Sequence, residues 1–138
     1  MPDPATASAI VIDRTAVALA LRSGGIIDIT TTGRQTGEAR RIEIVFFHLD
    51  GRTWITGMPG RRSWYANLAD DPRLTFHLKA DPVADLPAHA LLITDEATRR
   101  SILTRVTKIW NRQAQLEQFL AGSPLIEVVF DDPSILEG

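Results

Sequence analysis

A stretch near the middle of the chain has the pattern of a β-hairpin. Apolar side chains occupy every second position from Ile42 to Phe46, within a segment, residues 41–49, that is typical of a strand. Asp50-Gly51 follows, and this pair favours a two-residue type I′ turn, in which both residues need positive φ. Residues 52–57 then return as the partner strand. An antiparallel hairpin at the centre of so short a chain favours a fold built mainly from β-structure.

The segments on either side of the hairpin predict four more strands and three helices. Strands are expected at residues 26–32, 73–79, 89–94 and 125–130, where β-branched or alternating apolar residues lie between turn signals. Helices are expected from Asp13 to about residue 22, over residues 63–69, and from Asp95-Glu96 through about residue 120. Six strands with antiparallel links predict a mainly β fold, a six-stranded antiparallel β-barrel with flanking helices, the longest of them packed outside the barrel.

Length and composition fit one globular domain. The 138 residues are 44% hydrophobic and 23% charged, close to the globular average, which argues against a disordered or fibrous chain. The sequence has no internal repeat and no linker, so residues 1–138 are expected to form one domain. Residues 1–8 are rich in Pro, Ala and Ser and are expected to form a loose N-terminal arm.

Charge, cysteine content and hydropathy argue against several classes of protein. A formal net charge of −2 argues against binding of nucleic acid through bulk positive charge. Without cysteine the chain has no disulfide and no thiolate, and its histidines lack the spacing of a metal site. The apolar stretches are far shorter than the ~18 residues that span a bilayer, so no integral membrane segment is expected. Residues 1–4 carry no basic side chain, so we expect no signal peptide and a cytoplasmic location.

A positive segment surrounds the hairpin. Residues 33–62 contain six arginines and only three acidic residues, although the whole chain has a net charge of −2. The arginines are Arg34, Arg40, Arg41, Arg52, Arg61 and Arg62. The hairpin should bring the glycine turn at 33–37 toward residues 57–62, where exposed backbone N–H groups, a helix N-terminus and guanidinium groups favour phosphate or carboxylate. The alternative is a solvated loop whose arginines only keep the protein soluble, and composition leaves both open.

No pattern in the chain is typical of acid–base or nucleophilic catalysis. The serines lack the context of a nucleophile elbow, and Asp70-Asp71 before Pro72 is typical of a turn that ends a helix. The basic residues of the long helix, from Arg99 to Arg112, are interpreted as a solvated face, with a partner surface as the alternative. Trp64 and Tyr65 are either core residues or the wall of a site for an aromatic ligand.

Two motifs in this region resemble the deazaflavin-dependent nitroreductase family. The first reads Thr-Thr-Thr-Gly-Arg-Gln-Thr-Gly-Glu-Ala-Arg over residues 30–40, and the second reads Ser-Trp-Tyr-Ala-Asn-Leu-Ala-Asp-Asp-Pro over residues 63–72. The hairpin lies between them, and the similar part spans about residues 26–79. The resemblance implies a split β-barrel related to flavin-mononucleotide-binding barrels. It also implies coenzyme F420, an 8-hydroxy-5-deazaflavin with a phospholactyl-oligoglutamate tail, and hydride transfer to an apolar conjugated or nitro-type small molecule.

The same resemblance implies a set of cofactor-binding residues. Arg34 and Arg40 would hold the phosphate and the tail carboxylates, and Arg41 is added by proximity. The strand end at Thr56, Gly57 and Met58 would lie against the deazaflavin ring, and Trp64 and Asn67 would lie on the helix that closes the pocket. Because hydride chemistry belongs to the cofactor, no catalytic residue and no metal is assigned. The alternatives are an FMN-dependent oxidoreductase of the same fold and a non-catalytic carrier of the coenzyme or a lipid. In each case the protein is expected to be a monomer or a homodimer that acts on a small molecule.

Overall fold

The computed structural model describes residues 13–137, and the predicted N-terminal arm, residues 1–8, lies outside them. The strands are β1 (Gly25–Thr32), β2 (Ala39–Leu49), β3 (Arg52–Thr56), β4 (Arg73–Leu78), β5 (Ala84–Leu92) and β6 (Leu125–Phe130). The α-helices are α1 (Arg14–Ser23), α2 (Ser63–Asp70), α3 (Glu96–Ile109) and α4 (Leu116–Gly122), with short 3₁₀ helices at Gln113–Gln115 and Pro133–Leu136. Asp13 caps α1 as predicted, because its side chain accepts a hydrogen bond from the Ala16 N–H at 3.1 Å.

The six strands close into a barrel in the order β1-β2-β3-β6-β5-β4, and every neighbouring pair is antiparallel. The predicted six-stranded antiparallel barrel is therefore confirmed. The type I′ signal is also confirmed, since Asp50 and Gly51 have φ of 56° and 73°. Strand β2 is long enough to pair with two partners. Its first part pairs with β1 from Ala39 to Phe46, and its last part pairs with β3.

Apolar residues pack on both sides of the barrel wall. Phe46 lies in the interior cluster, with its ring centroid 5.0 Å from that of Phe76. The next residue, Phe47, points outward into a second cluster under α3 and α4, together with Trp54 and Leu103. The helices therefore cover one outer face of the barrel, and this explains why β2 has apolar side chains at consecutive positions.

Two predicted elements differ from the structure. The long helix expected through residue 120 ends at Ile109, and Asn111 takes a left-handed φ of 55° before the chain resumes as α4. The apolar spacing continued across the break because both helices bury their apolar side chains in the same outer cluster. The strand expected at 89–94 instead runs over Ala84–Leu92, and Pro87 lies within it at an exposed position. Within residues 13–137, no helix combines the length and apolar character needed to span a bilayer.

Candidate functional site

The turn between β1 and β2 is closed by its own hydrogen bonds. The Gly33 N–H donates to the Glu38 carbonyl at 2.8 Å, and the Gly37 N–H donates to the Gly33 carbonyl at 2.8 Å. A Cβ on Gly33 would lie 3.0 Å from Thr36 Oγ1 and 3.2 Å from the Glu38 carbonyl oxygen. Gly37 has a φ of 73°, a conformation that side chains rarely adopt. Both glycines therefore fix a tight turn that presents Arg34 at a defined position.

Asn67 connects this turn to helix α2. Its side chain is 4% exposed, and its Oδ1 accepts hydrogen bonds from the Arg34 backbone N–H at 3.2 Å and from Arg34 Nη1 at 3.1 Å. Its Nδ2 donates to Thr31 Oγ1 at 3.2 Å. Asn67, placed among the cofactor-binding residues by resemblance, thus orients an arginine of the turn. Sequence spacing alone gave no signal for this link.

A cavity of about 360 Å³ lies between the turn and the start of α2. We call it the turn cavity, and its lining includes Gly33, Arg34, Arg40, Ser63, Trp64 and Asn67. The residue before α2, Arg62, makes no capping hydrogen bond through its side chain, which leaves first-turn N–H groups of the helix available to an anion. No acidic residue is among the described residues that line the turn cavity. The arrangement suits a phosphate or carboxylate group.

A larger groove of about 850 Å³ adjoins the turn cavity and shares Arg34 and Ser63 with it. We call it the arginine groove, and its lining includes Arg61, Arg62, Ile93, Leu120, Ser123 and Pro124. Thr56, Gly57 and Met58 at the end of β3 are not in its lining, but the first two lie against Pro124, which is. The buried Thr56 hydroxyl donates to the Pro124 carbonyl, and a Cβ on Gly57 would lie 3.8 Å from Pro124 Cγ. The Met58 carbonyl accepts from Arg62 Nη2 at 3.0 Å.

Arg41 lies away from both cavities. Successive side chains of β2 point to opposite faces, and Arg40 lines the turn cavity, whereas Arg41 Nε pairs with Asp28 at 2.9 Å on the outside of the barrel. Lys79 Nζ lies 2.7 Å from the same carboxylate. Hydrogen bonds from Lys79 and then Arg41 lower the pKa of Asp28 below its usual value. The structure therefore does not bring Arg41 together with Arg34 and Arg40.

Three basic residues of α3 have partners in the structure. Arg105 pairs with Asp50 at 2.8 Å and Arg100 with Glu96 at 2.6 Å, which agrees with a solvated face. Arg99 differs, and the solvated interpretation is wrong for it. Its part-buried guanidinium donates to four carbonyl groups. These belong to Ile93, Phe119, Leu120 and Ser123.

The aromatic pair beside the turn contributes to the core as well as to the site. Trp64 is 7% exposed and belongs to the interior cluster, yet it also lines the turn cavity. Tyr65 packs edge-on against it, with ring centroids 6.1 Å apart, and lines the arginine groove. The core interpretation is therefore confirmed for Trp64, and a wall for an aromatic ligand stays a prediction for both side chains. Among the described residues, no cluster of three or more His, Asp or Glu side chains is arranged to hold a metal ion.

Solved structures share this barrel at low sequence identity. A conserved hypothetical protein from Mycobacterium tuberculosis aligns with a TM-score of 0.69 and 16% identity over 88% of this chain and 82% of its own. A candidate pyridoxamine 5′-phosphate oxidase from Listeria innocua aligns with a TM-score of 0.66 and 14% identity over 86% and 94%. An FAD-binding protein from Mesorhizobium loti aligns with a TM-score of 0.57 and 12% identity over 88% of this chain and 91% of its own.

These similarities show the fold alone, the split barrel of FMN-binding-like proteins, as expected from the sequence. No curated protein matches the chain significantly. The model of one protein family does match, over residues 10–121, and its members are described as F420H(2)-dependent quinone reductases. The match covers most of the chain and confirms coenzyme F420 as the cofactor inferred from the two motifs. The chain therefore belongs to the F420H(2)-dependent quinone reductase family, and it is an F420-dependent oxidoreductase.

Proposed function

We propose that this protein transfers a hydride from reduced coenzyme F420 to a small apolar conjugated molecule, with quinones as the first class to test. The observation that carries the proposal is the turn cavity. There Arg34, fixed on Asn67, and Arg40 line a cavity that also reaches the uncapped start of α2. A cofactor that carries a phosphate and carboxylates requires such a fixed cluster of positive charge.

The residues present fit the cofactor's anionic part. Gly33 allows close approach of backbone, because a side chain there would collide with Thr36 and the Glu38 carbonyl. We infer that Arg34, Arg40 and the first-turn N–H groups of α2 hold the phosphate, and that Trp64 closes the cavity from the barrel side. Arg40 Nη2 lies 3.6 Å from Glu38 Oε2, and both side chains are exposed. Because an exposed ion pair contributes little stability, Arg40 can turn to a ligand at a small cost in free energy.

The end of β3 is proposed to support the ring. Thr56 is buried and its hydroxyl is engaged by Pro124, so it contributes shape and backbone there and no free hydroxyl. Arg62 donates a hydrogen bond to the carbonyl of Met58, which holds residues 57–58 in place next to the arginine groove. When bound, the cofactor supplies the hydride chemistry, and the protein positions the two reactants and excludes water.

The binding experiment compares two neighbouring arginines. Arg40→Ala should weaken F420 binding by about 1–3 kcal/mol, or about 5- to 150-fold, because it removes charge-assisted hydrogen bonds to the phosphate or tail. Arg41→Ala is the matched control, with the same loss of charge at the next residue but on the outer face. Cofactor fluorescence gives both dissociation constants, and thermal melting verifies that both variants are folded. Equal binding by both variants would refute the assignment of the turn cavity.

A second measurement separates the alternatives. Purified protein should bind F420 more tightly than flavin mononucleotide and should oxidise reduced F420 when menadione is added, followed by cofactor absorbance. A nitroaromatic compound tested in parallel measures whether nitro-type substrates are also reduced. Tighter binding of flavin mononucleotide would favour the FMN-dependent alternative, and binding without any turnover would favour a carrier.

A further inference from the structure

We propose that the arginine groove binds a second small molecule, one with an apolar planar body and a carboxylate. We further infer that this molecule is the hydride acceptor, an inference that rests on the proposed function. The groove has a volume of about 850 Å³, within the usual range for small-molecule sites, and is larger than the turn cavity. Its composition, position and a buried hydroxyl each support this inference.

The lining combines an apolar wall with uncompensated positive charge. Ile93, Leu120 and Pro124 supply apolar surface, and Tyr65 adds an aromatic ring. No acidic residue is found among the described residues that line the groove. An apolar planar compound would pack on this wall, and a carboxylate attached to it would reach the arginines.

The four arginines of the groove are not equivalent. The guanidinium of Arg99 is occupied by backbone carbonyls, and Arg34 is held by Asn67. Arg62 donates to the carbonyls of Met58 and Arg61, which fixes its position at the rim. Arg61 is exposed and carries its charge beside the braced Arg62. We therefore assign the carboxylate contact to Arg61, supported by Arg62.

Ser123 gives an independent indication of a ligand. Ser123 is one of the residues that line the groove and is 4% exposed, and its buried Oγ has no hydrogen-bond partner among the described residues. A buried hydroxyl without a partner destabilises the folded protein, because it has lost water and gained nothing in exchange. A bound molecule with a carbonyl or carboxylate oxygen would satisfy this hydroxyl, and the quinone class supplies such an oxygen.

The groove lies where a hydride acceptor would be needed. It shares Arg34 and Ser63 with the turn cavity and borders Gly57 through Pro124. The Gly60 N–H donates to the Gly122 carbonyl at 3.0 Å, which ties the loop after β3 to the end of α4. A molecule in the groove would therefore lie beside the strand end proposed to support the cofactor ring.

The test uses a matched pair of probes without cofactor. A 1,4-naphthoquinone that carries a propionate group and its methyl ester have nearly the same apolar body, and they differ in charge. Calorimetry should give about tenfold tighter binding of the acid, the size of one charge-assisted hydrogen bond. The preference should disappear in Arg61→Gln and persist in Arg112→Gln, an exposed arginine outside the groove. Equal binding of acid and ester by the unmodified protein would overturn the proposal.

Ser123→Ala supplies a second readout. If the Ser123 hydroxyl forms a hydrogen bond only with a bound ligand, the variant should bind both probes several-fold more weakly. Its melting temperature without ligand should stay equal or rise. A lower melting temperature with unchanged probe binding would show a structural hydroxyl and refute its role.

The oligoglutamate tail of the cofactor is the other source of carboxylates. If the groove belongs to the acceptor, adding F420 should not weaken binding of the naphthoquinone acid to the protein. This should hold both for F420 without glutamates and for F420 with its full tail. Displacement of the acid by the tailed form alone would overturn the proposal. If the acid binds as expected and F420 does not bind at all, the carboxylate site stands, whereas the acceptor role fails together with the proposed function.

Discussion

Asn67→Ala should uncouple the glycine turn from helix α2. The substitution removes three hydrogen bonds, two to Arg34 and one to Thr31, from a side chain that is 4% exposed. A neutral hydrogen bond contributes about 0.5–1.5 kcal/mol and one to a charged group about 1.5–3 kcal/mol. Arg34 can turn to water after the change, so we take the lower end of the sum and expect a loss of about 2–3 kcal/mol.

Thermal denaturation measures this loss. For a chain of this size, about 2–3 kcal/mol corresponds to a fall of roughly 6–10 °C in melting temperature. Asp70→Ala on the same helix is the control, because Asp70 is exposed and the change should stay within about 0.5 kcal/mol. If Asn67→Ala melts within 2 °C of that control, within about half a kcal/mol, the three hydrogen bonds do not hold the turn.

A double-mutant cycle isolates the link to Arg34. Arg34→Ala alone should cost about 1 kcal/mol of stability, since the change removes the hydrogen bond from Arg34 Nη1 to Asn67 Oδ1. If the pair interacts as seen, the double variant should be more stable than the sum of the single effects by about 1 kcal/mol. Strict additivity would refute the pairing. F420 binding by Asn67→Ala should weaken as well, because Arg34 would no longer be oriented.

Three further predictions concern other charged groups. Arg99→Met should lower stability by at least about 2 kcal/mol, since four carbonyls lose their donor, whereas Arg105→Met should change the melting temperature far less. Hydrogen bonds from Ser134 and then Arg14 lower the pKa of Asp132 to about 2. The Asp132 carboxylate therefore stabilises the fold fully above the ordinary pKa of an unfolded aspartate, and this stabilisation is lost as pH falls through about 2. The difference in melting temperature between the parent and Asp132→Asn should accordingly disappear as the pH approaches about 2. Salt should weaken binding of tailed F420 more than of the tail-less form, as fluorescence titrations at increasing ionic strength will measure, because exposed charges are screened beyond about 10 Å at 0.1 M.

Local signals were sufficient for much of the fold. The Asp50-Gly51 pair fixed the hairpin because positive φ at both positions is a property of those two residues and not of their surroundings. The end of α3 had no such signal. No glycine or proline marks the break at Asn111, and the apolar spacing continues across it because one outer cluster receives side chains from both helices. Pro87 led to the opposite error. Because proline is unusual inside a strand, the predicted strand began after it, at residue 89, whereas the observed strand Ala84–Leu92 contains Pro87.

The candidate site was less accessible to sequence reasoning. The alternation of β2 contained enough information to separate Arg40, on the same side as Ile42, from Arg41, and proximity in sequence was the weaker guide. The link from Asn67 to Arg34 joins residues 33 positions apart and depends on how α2 docks on the barrel. The role of Arg99 depends in the same way on the carbonyl groups at the end of α4.

The arginines of this chain are divided by the acceptors around them. Arg41, Arg99 and Arg105 each meet an oxygen of the protein that lies within hydrogen-bond distance, and they stabilise the fold. Arg40 and Arg61 lie where the lining provides no carboxylate, and the pairing of Arg40 with Glu38 is exposed on both sides. A protein with a net charge of −2 repels anions at long range, so an anionic ligand must be attracted by a local surplus. Such a surplus lies at the end of the barrel where the turn cavity and the arginine groove meet at Arg34, which is why we place both the cofactor's phosphate and the acceptor's carboxylate there.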